Sequence, residues 1–461
     1  MIGFLKRLFN SNTTDTMQQE EAPTLLLGRT IKKNKNVYLP IKEDKYGYSR
    51  ANQLVIAKNP QEVSDRIFSK YIRQDFKHQE AYHANTEVVT SKSEWNNLSF
   101  QSHFLSSVSI ICMKSSQVQN LSRQAISESI PTRDIHIFDP ADSTSPRLDL
   151  MSLPNNSVIA LLDNILNQWQ QDDIEYSLEE RKNWITWMVM LEKAYAKLEH
   201  REPTFSDLLE FFRNPSTIMD IHHYVEDNLN EFSEPWVKEL TDTLDTNFHL
   251  GDSKQNNINF DIYDGLLKYQ DKNILGKFLF DEDRPSASLP EIWSKGGICI
   301  FSLAGDLLSK EDSATWGSII RSNFTAGLQE KAQTQNKGTL QSIYMFNASD
   351  YLDDEWYKLL ISTSTNTPTI SFNIVVSADY LKEALDGNTF LSNFLQSKRL
   401  VESIYRSADM IDFEFYDHHK YLFSIERDQN KTLKQAIASS PLPSGILITK
   451  FNDHSREIYR Y

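Results

Sequence analysis

Residues 107–140 have an arrangement of segments that could bind phosphate groups. SVSIICM (107–113) is an apolar run typical of a buried strand, KSSQVQ (114–119) reads as a short loop, NLSRQAISESI (120–130) as a helix, and DIHIFDP (134–140) as a second strand. A loop that joins a buried strand to a helix can hold phosphate groups, because its backbone amides and the helix N-terminus carry partial positive charge. The segment therefore has the layout of a nucleotide-binding unit.

The residues that would carry out nucleotide chemistry in this unit are replaced. In the P-loop motif G-x-x-x-x-G-K-[ST], the glycines let the backbone wrap the phosphates, the lysine neutralises them and the hydroxyl holds Mg²⁺. On this segment the glycine positions fall on Cys112 and Gln117, the lysine position on Val118 and the hydroxyl position on Gln119. The chain has only 14 glycines in 461 residues, which is few for a phosphate-cradling protein. Lys114 is interpreted as an exposed loop lysine.

A second apolar run stands where a hydrolytic site would carry its acidic pair. SIYMFNASDYL (342–352) is a strand whose end would supply an Asp for Mg²⁺ and a Glu for water, and these positions fall on Asn347 and Ala348. Asparagine is a poor ligand for a hard cation, and alanine cannot act as a base. The next strand, SFNIVVSADYL (371–381), would end in a polar sensor residue at Asp379. We therefore predict no ATP hydrolysis, no catalytic residue, and neither cofactor nor metal.

Two pairs of adjacent histidines, His222–His223 and His418–His419, are candidate metal ligands. Neighbouring residues on a helix or strand point in different directions, and we identify no carboxylate or cysteine at ligand spacing beside either pair. Both pairs are therefore interpreted as ordinary surface or buried histidines.

Two further charged groups are given structural roles. The acidic residues within 350–355 are interpreted as the solvated N-terminus of a helix, which favours carboxylates. Arg399, Arg406 and Arg427 fall where a ring-shaped ATPase would place arginines that act on a neighbouring subunit. Without a hydrolytic pocket to serve, they are interpreted as salt-bridge or interface residues.

The elements that position these residues divide the chain into four parts. Residues 1–23 are predicted to be an amphipathic N-terminus and linker, and 24–152 the first part of an α/β domain. Residues 153–250 have helical periodicity, with a capping box predicted from Ser177 and Glu180, and form an all-α insertion. After a polar loop near 249–257, the α/β domain continues through 251–461, with a last strand at SGILITKF. A largely parallel sheet is expected.

Composition limits the classes of function. The net charge of −15 disfavours a surface that tracks nucleic acid, so nucleic-acid binding is not favoured. Two cysteines supply neither a disulfide framework nor a zinc site, and suit a reducing compartment. No apolar run is long enough to span a bilayer. We expect a cytoplasmic protein that contacts a membrane, if at all, through residues 1–10.

Three segments of the chain resemble those of a known protein family. GGICIFSLAGDLLSKEDSATWGSIIRSNF (296–324), followed by QSIYMFNASDYL and SFNIVVSADYL, looks like the C-terminal half of type IV coupling proteins, the TraG/TraD-like, FtsK/HerA-related ATPases. The resemblance covers roughly 25–150 and 290–450. It implies a P-loop NTPase-like (RecA-like) α/β domain interrupted by an all-α domain. No counterpart of the family's N-terminal transmembrane pair is found.

The family's nucleotide-binding roles find no suitable occupant at the six positions named above in the P-loop and the acidic pair. The resemblance therefore implies a pseudo-ATPase of a conjugative or type IV secretion apparatus, which acts as a scaffold or adaptor through protein contacts, with an active coupling ATPase or secretion components as partners. Two alternatives stay open: an active DNA or protein motor with a deviant P-loop, and a standalone interaction protein of a mobile element or defence system.

Overall fold

A computed structural model of the chain describes residues 23–30, 34–44, 47–84, 86–97, 100–101, 103–168, 176–249, 251–281, 283–333, 339–366, 369–377, 379–381, 393–395, 399–406, 446–450 and 456–460. No described helix is both long and apolar enough to cross a membrane. The predictions for residues 1–10, His418, His419 and Arg427 lie outside the described residues.

The strands, in chain order, are β1 (Leu26–Thr30), β2 (Asn36–Tyr38), β3 (Ile41–Asp44), β4 (Gly47–Arg50), β5 (Asn52–Ala57), β6 (Ser106–Cys112), β7 (Ile135–Phe138), β8 (Arg147–Leu148), β9 (Ser286–Ala287), β10 (Ile298–Ser302), β11 (Leu340–Met345), β12 (Ile370–Ser377), β13 (Leu400–Arg406), β14 (Ile446–Lys450) and β15 (Arg456–Arg460).

The helices are α1 (Pro60–Val63), α2 (Ser69–Ala84), α3 (Thr86–Thr90), α4 (Ser115–Ser127), α5 (Asn155–Gln168), α6 (Leu178–Leu198), α7 (Phe205–Arg213), α8 (Pro215–Asp227), α9 (Pro235–Asn247), α10 (Ser253–Lys272), α11 (Ile274–Phe280), α12 (Leu289–Ser294), α13 (Lys310–Gln333) and α14 (Asp354–Asn366). A π-helical turn, Ser64–Phe68, joins α1 to α2.

One sheet of eleven strands organises the molecule, in the order β2-β1-β15-β14-β13-β5-β12-β11-β6-β10-β7. The seven strands from β13 to β7 are parallel, and the other four pair antiparallel at one side. Strands β5, β6, β10 and β11 are buried at every residue, as expected for parallel strands covered on both faces. The predicted α/β class with a largely parallel sheet is confirmed.

Two apolar cores cover the two faces of the sheet. One contains Phe68, Tyr71 and Phe76 from the helical stretch after β5, together with Val118 and Leu121 of α4. The larger core lies on the opposite face and continues into the helices between β8 and β9. Because alternate residues of a strand face opposite sides, β6 contributes Ile110 to the first core and Ile111 to the second.

The capping box that the sequence predicts in the helical part is present. Ser177 and Glu180 form the capping box of α6, with Glu180 N donating to Ser177 Oγ at 3.1 Å. The predicted loop near 249–257 is wrong in extent, because Asp252 caps α10, which starts at Ser253. Helices then continue to Phe280 and pack on those before them. The domain boundary at 250 stays a prediction.

Candidate functional site

The candidate site lies where the central parallel strands end. Three backbone hydrogen bonds close the end of β6: Leu303 N donates to Cys112 O at 2.8 Å, Gly305 N to Met113 O at 2.9 Å, and Phe346 N to Ile111 O at 2.9 Å. The segments that follow β10 and β11 therefore remain hydrogen-bonded to the end of β6 and to Met113. Parallel strands bring their carboxyl ends to one edge, which is where ligands bind in open α/β sheets.

The connection between β6 and α4 is shorter than predicted. The strand ends at Cys112 and the helix starts at Ser115, so Met113 and Lys114 alone connect them. The expected loop over 114–119 is wrong, because residues 115–119 are helical. Two residues cannot form the glycine-rich loop that wraps a triphosphate.

Gln117 explains why the helix starts so early. Its Oε1 accepts hydrogen bonds from Met113 N at 3.0 Å and Lys114 N at 3.2 Å. A polar side chain at the third helical position can reach back to the amide of the N-cap residue, as in a capping box. Gln117 reaches the amide of the N-cap residue Lys114 and also that of Met113 before it. The amide oxygen of Gln117 thus takes the hydrogen bonds that these amides could offer to a phosphate.

The other end of the Gln117 side chain is also held. Its Nε2 donates to Asp65 Oδ1 at 3.1 Å, and Asp65 lies in the π-helical turn between α1 and α2. Asp65 accepts two more hydrogen bonds from Gln61 Nε2, at 2.8 and 2.9 Å. Gln117 is only 8% exposed. The side chain is therefore fixed in place as an internal cap.

An acidic side chain contacts the first turn of the same helix. Asp139, directly after β7, accepts a hydrogen bond from the Ser115 side chain and, at 3.1 Å on Oδ1, from Ala141 N. Burial raises the pKa of Asp139, the two hydrogen bonds oppose this, and the charges of Asp142 and Asp306 raise it further. An acidic side chain in contact with the first turn of α4 disfavours an incoming phosphate.

The remaining P-loop positions have structural environments. Cys112 is fully buried, its Sγ donates to Phe301 O at 3.2 Å, and burial raises the pKa of its thiol. Val118, at the lysine position, is 2% exposed and belongs to the apolar core. Gln119 is exposed on α4, and Lys114 is exposed as expected. Cys112, Val118 and Gln119 therefore carry no positive charge, and Lys114 is an exposed cation beside the start of α4.

The positions of the acidic pair are likewise occupied internally. Asn347 has φ of 47° and ψ of 46°, a left-handed conformation that asparagine tolerates, and its Nδ2 donates to Asp350 Oδ2 at 2.6 Å. Ala348 is fully buried. Ser377 N donates to Ser349 Oγ at 2.6 Å, which brings the end of β12 to that of β11. Asp379 is exposed beyond β12.

The other charged groups have mixed outcomes. Asp353 Oδ1 accepts from Trp356 N at 2.9 Å at the start of α14, which confirms the predicted acidic helix N-terminus. Arg399 lies at the opposite, amino ends of the strands, where its Nη2 donates to Arg50 O at 2.8 Å and Ile370 O at 3.3 Å. It therefore bonds backbone carbonyls there.

The structure also corrects the interpretation of one histidine pair. His222 is buried, and its Nε2 lies 3.5 Å from Asp245 Oδ1. Glu226 belongs to the same cluster. The statement that no carboxylate accompanies His222 is therefore wrong: Glu226 follows it by one helical turn, and Asp245 comes from the next helix.

A cavity of about 640 Å³ opens beside the edge strand β7, between Ile135 and Ile137 on one side and residues 285–288 on the other. None of the seven predicted nucleotide-pocket positions lines it. The cavity is thus distinct from the ends of the central strands.

Comparisons with known proteins agree with the fold. Neither a protein-family model nor a curated protein sequence matches the chain. Among solved structures, VirB4 of Thermoanaerobacter pseudethanolicus matches with a TM-score of 0.51 and 10% identity, over 98% of this chain and 98% of that one. The bacterial conjugative coupling protein TrwB matches with a TM-score of 0.39 and 11% identity, over 88% of this chain and 76% of that one.

The match to VirB4 extends over almost the full length of both chains, helical part included. Together with the parallel strand order and the strand–helix–strand unit at 106–138, it bears out the fold that the sequence resemblance implied. The chain therefore has the RecA-like α/β fold of the P-loop ATPases.

Proposed function

We propose that this chain is a non-hydrolysing relative of the ATPases of conjugation and type IV secretion, and that it acts as a scaffold or adaptor by binding proteins. The observation that carries the proposal is the internal cap formed by Gln117. Its Oε1 accepts from the amides of both residues that connect β6 to α4. The similarity in fold to VirB4 supports the proposed relation to secretion ATPases. The cap supports the proposal that the chain does not hydrolyse nucleotides.

Electrostatics support the same proposal. Catalysis of phosphoryl transfer depends almost entirely on positioning and on cations that stabilise the developing charge. Here the lysine position is the buried Val118, and the acidic pair is replaced by Asn347 and Ala348. Lys114 is the cation next to the helix N-terminus, opposed by Asp139 and its acidic neighbours. One exposed lysine does not replace both a buried lysine and a metal ion.

The first test is a calorimetric titration of the full chain with ATP and Mg²⁺, combined with an assay of phosphate release. We expect neither saturable binding nor turnover, while an active P-loop ATPase run in parallel shows both. Binding in the micromolar range with turnover would support the active motor instead. Tight binding without turnover would contradict the role of the Gln117 cap.

A matched variant separates weak charge attraction from a built site. Lys114 is exposed, so Lys114→Ala removes its charge without removing buried contacts. If the chain retains weak affinity for ATP, we expect Lys114→Ala to abolish it and high salt to weaken it. Affinity that survives both changes would indicate a nucleotide pocket that the proposal denies.

The second test concerns partners. We expect the tagged chain to co-purify with an intact coupling ATPase or with secretion components encoded beside it. Reconstitution of the purified pair should give a stoichiometric complex. If those proteins do not bind and the chain works without them, the standalone interaction protein would be the better account.

A further inference from the structure

We propose that His222, Glu226 and Asp245 form a binding site for a divalent transition-metal ion, with Zn²⁺ the ion that suits the ligands best. His222 and Glu226 lie one turn apart on α8, and Asp245 lies on the neighbouring α9. One ligand atom of each residue lies within 4.8 Å of those of the other two. The site is independent of the proposed function.

The spacing of the ligand atoms fits a tetrahedral ion. Zn²⁺ binds imidazole nitrogen and carboxylate oxygen at about 2.0–2.2 Å, so two ligands of a tetrahedral site lie about 3.3–3.5 Å apart. His222 Nε2 and Asp245 Oδ1 are 3.5 Å apart. Glu226 is exposed, so its side chain can rotate to close the remaining distance. Three protein ligands leave a fourth position for water.

The buried imidazole is a second, separate observation. His222 is 4% exposed, so packing fixes the direction of its ring, and Nε2 faces the Asp245 carboxylate. Nε2 lies 3.3 Å from Thr241 O and 3.5 Å from Asp245 Oδ1. The nitrogen is thus within hydrogen-bond reach of Thr241 O and next to the Asp245 carboxylate. A bound ion would replace its contact with Thr241 O and displace its proton.

The ligand types determine the class of ion. Imidazole suits Zn²⁺, Cu²⁺ and Ni²⁺, whereas Ca²⁺ and Mg²⁺ prefer oxygen alone. One nitrogen and two carboxylates at tetrahedral spacing favour Zn²⁺ over those hard cations. Because the ligands come from two helices, a bound ion would crosslink α8 to α9 and stabilise the helical part of the chain.

The neighbouring His223 provides a matched control. It is exposed and follows His222 directly, with the two ring centroids 5.6 Å apart. His223→Ala therefore removes a neighbouring imidazole of the same helix that is not one of the three ligands. Glu226→Gln and Asp245→Asn each remove one ligand charge from an exposed side chain, so both variants should fold.

The experiment is a calorimetric titration of the full, chelator-treated chain with Zn²⁺, repeated with Co²⁺, whose visible absorption reports tetrahedral coordination. We expect one site of about micromolar affinity, a rise in Tm, and the spectrum of tetrahedral Co²⁺. Glu226→Gln and Asp245→Asn should each weaken binding at least about tenfold. Changing a residue that only hydrogen-bonds to a metal ligand already weakens metal binding by about that factor. His223→Ala should bind like the wild type.

Three results would overturn the assignment. The first is no saturable Zn²⁺ binding by the wild type. The second is equal affinity in the wild type and the double variant Glu226→Gln/Asp245→Asn, which would place the ion at other residues. The third is loss of binding in His223→Ala with binding retained in Asp245→Asn.

Discussion

Replacing Gln117 with leucine removes the cap of α4 while keeping a side chain of similar size. The change deletes the acceptor of two amide hydrogen bonds, from Met113 N and Lys114 N, and the donor of one to Asp65. Because Gln117 is 8% exposed, water cannot easily replace its amide oxygen. The substitution therefore tests whether this cap holds the short connection between β6 and α4.

The magnitude follows from the groups left without partners. A buried donor that loses its acceptor costs about 1–3 kcal/mol, and loss of an N-terminal helix cap costs about 0.5–2 kcal/mol. The two amides share one acceptor, so their costs do not add fully. Asp65 keeps two hydrogen bonds from Gln61, so losing the third adds little. We expect Gln117→Leu to lower the free energy of unfolding by about 2 kcal/mol.

Urea denaturation measures the change as a shift of the midpoint at unchanged slope. Gln119→Leu is the matched control, since Gln119 is exposed two positions further along α4. We expect that control to lie within about 0.5 kcal/mol of the wild type. Hydrogen exchange should show that the amides of Met113 and Lys114 lose protection in Gln117→Leu alone. Equal stability of the two variants, or unchanged protection, would refute the capping argument.

Three further predictions concern the frame around the site. Arg50→Met should lower the free energy of unfolding, measured in urea, by about 3–5 kcal/mol. The reason is that Asp75, whose carboxylate accepts hydrogen bonds from Arg50 at 2.8 and 3.1 Å, would lose the cation that balances its buried charge. Adding Asp75→Leu should restore much of the lost stability. Gly276→Ala should lower Tm, since its Cβ would lie 2.2 Å from a backbone oxygen of the preceding helix, whereas the helical control Gly317→Ala, with its nearest atom at 3.8 Å, should be neutral or stabilising. Burial lowers the pKa of Lys331 from 10.5 to about 7. Below pH about 10.5 the unfolded chain therefore binds a proton that the folded chain holds less tightly, and this lowers the free energy of unfolding. Lys331→Met should raise that free energy most at or below pH about 7, and the gain should shrink as the pH rises to about 10.5.

The parts of the fold that were predictable are those that local pattern determines. The apolar runs of β10, β11 and β12 are buried parallel strands, and prolines at 215 and 235 mark the starts of α8 and α9. Strands β5 and β13 were not predicted. They pair with each other over the register Asn52–Leu400 to Ala57–Tyr405, and no local pattern shows a pairing between segments so distant in the chain.

The site was predictable in its losses but not in its contents. The missing lysine and acidic pair can be read from residue types alone. The early start of α4 was missed because KSSQVQ is polar, as both loops and helix N-termini are. A signal was present, since glutamine at the third helical position is a capping-box residue. Glu226 could also have been found one turn after His222, whereas Asp245 approaches only through the packing of α9 on α8.

The Gln117 cap affects how easily a phosphate site could be restored where the P-loop residues are replaced. If the motif residues alone were lost, an open loop would remain, and a few substitutions could restore a phosphate site. Here the connection is two residues long, the Gln117 side chain accepts hydrogen bonds from both of its amides, and Gly305 N donates to Met113 O. A lysine at Val118 would enter an apolar core rather than a phosphate loop, because that position is 2% exposed within the cluster that holds Leu121. The end of the sheet therefore makes its own hydrogen bonds. Under the proposed function, we expect that a nucleotide site could be built here only with a longer loop before any charge is added.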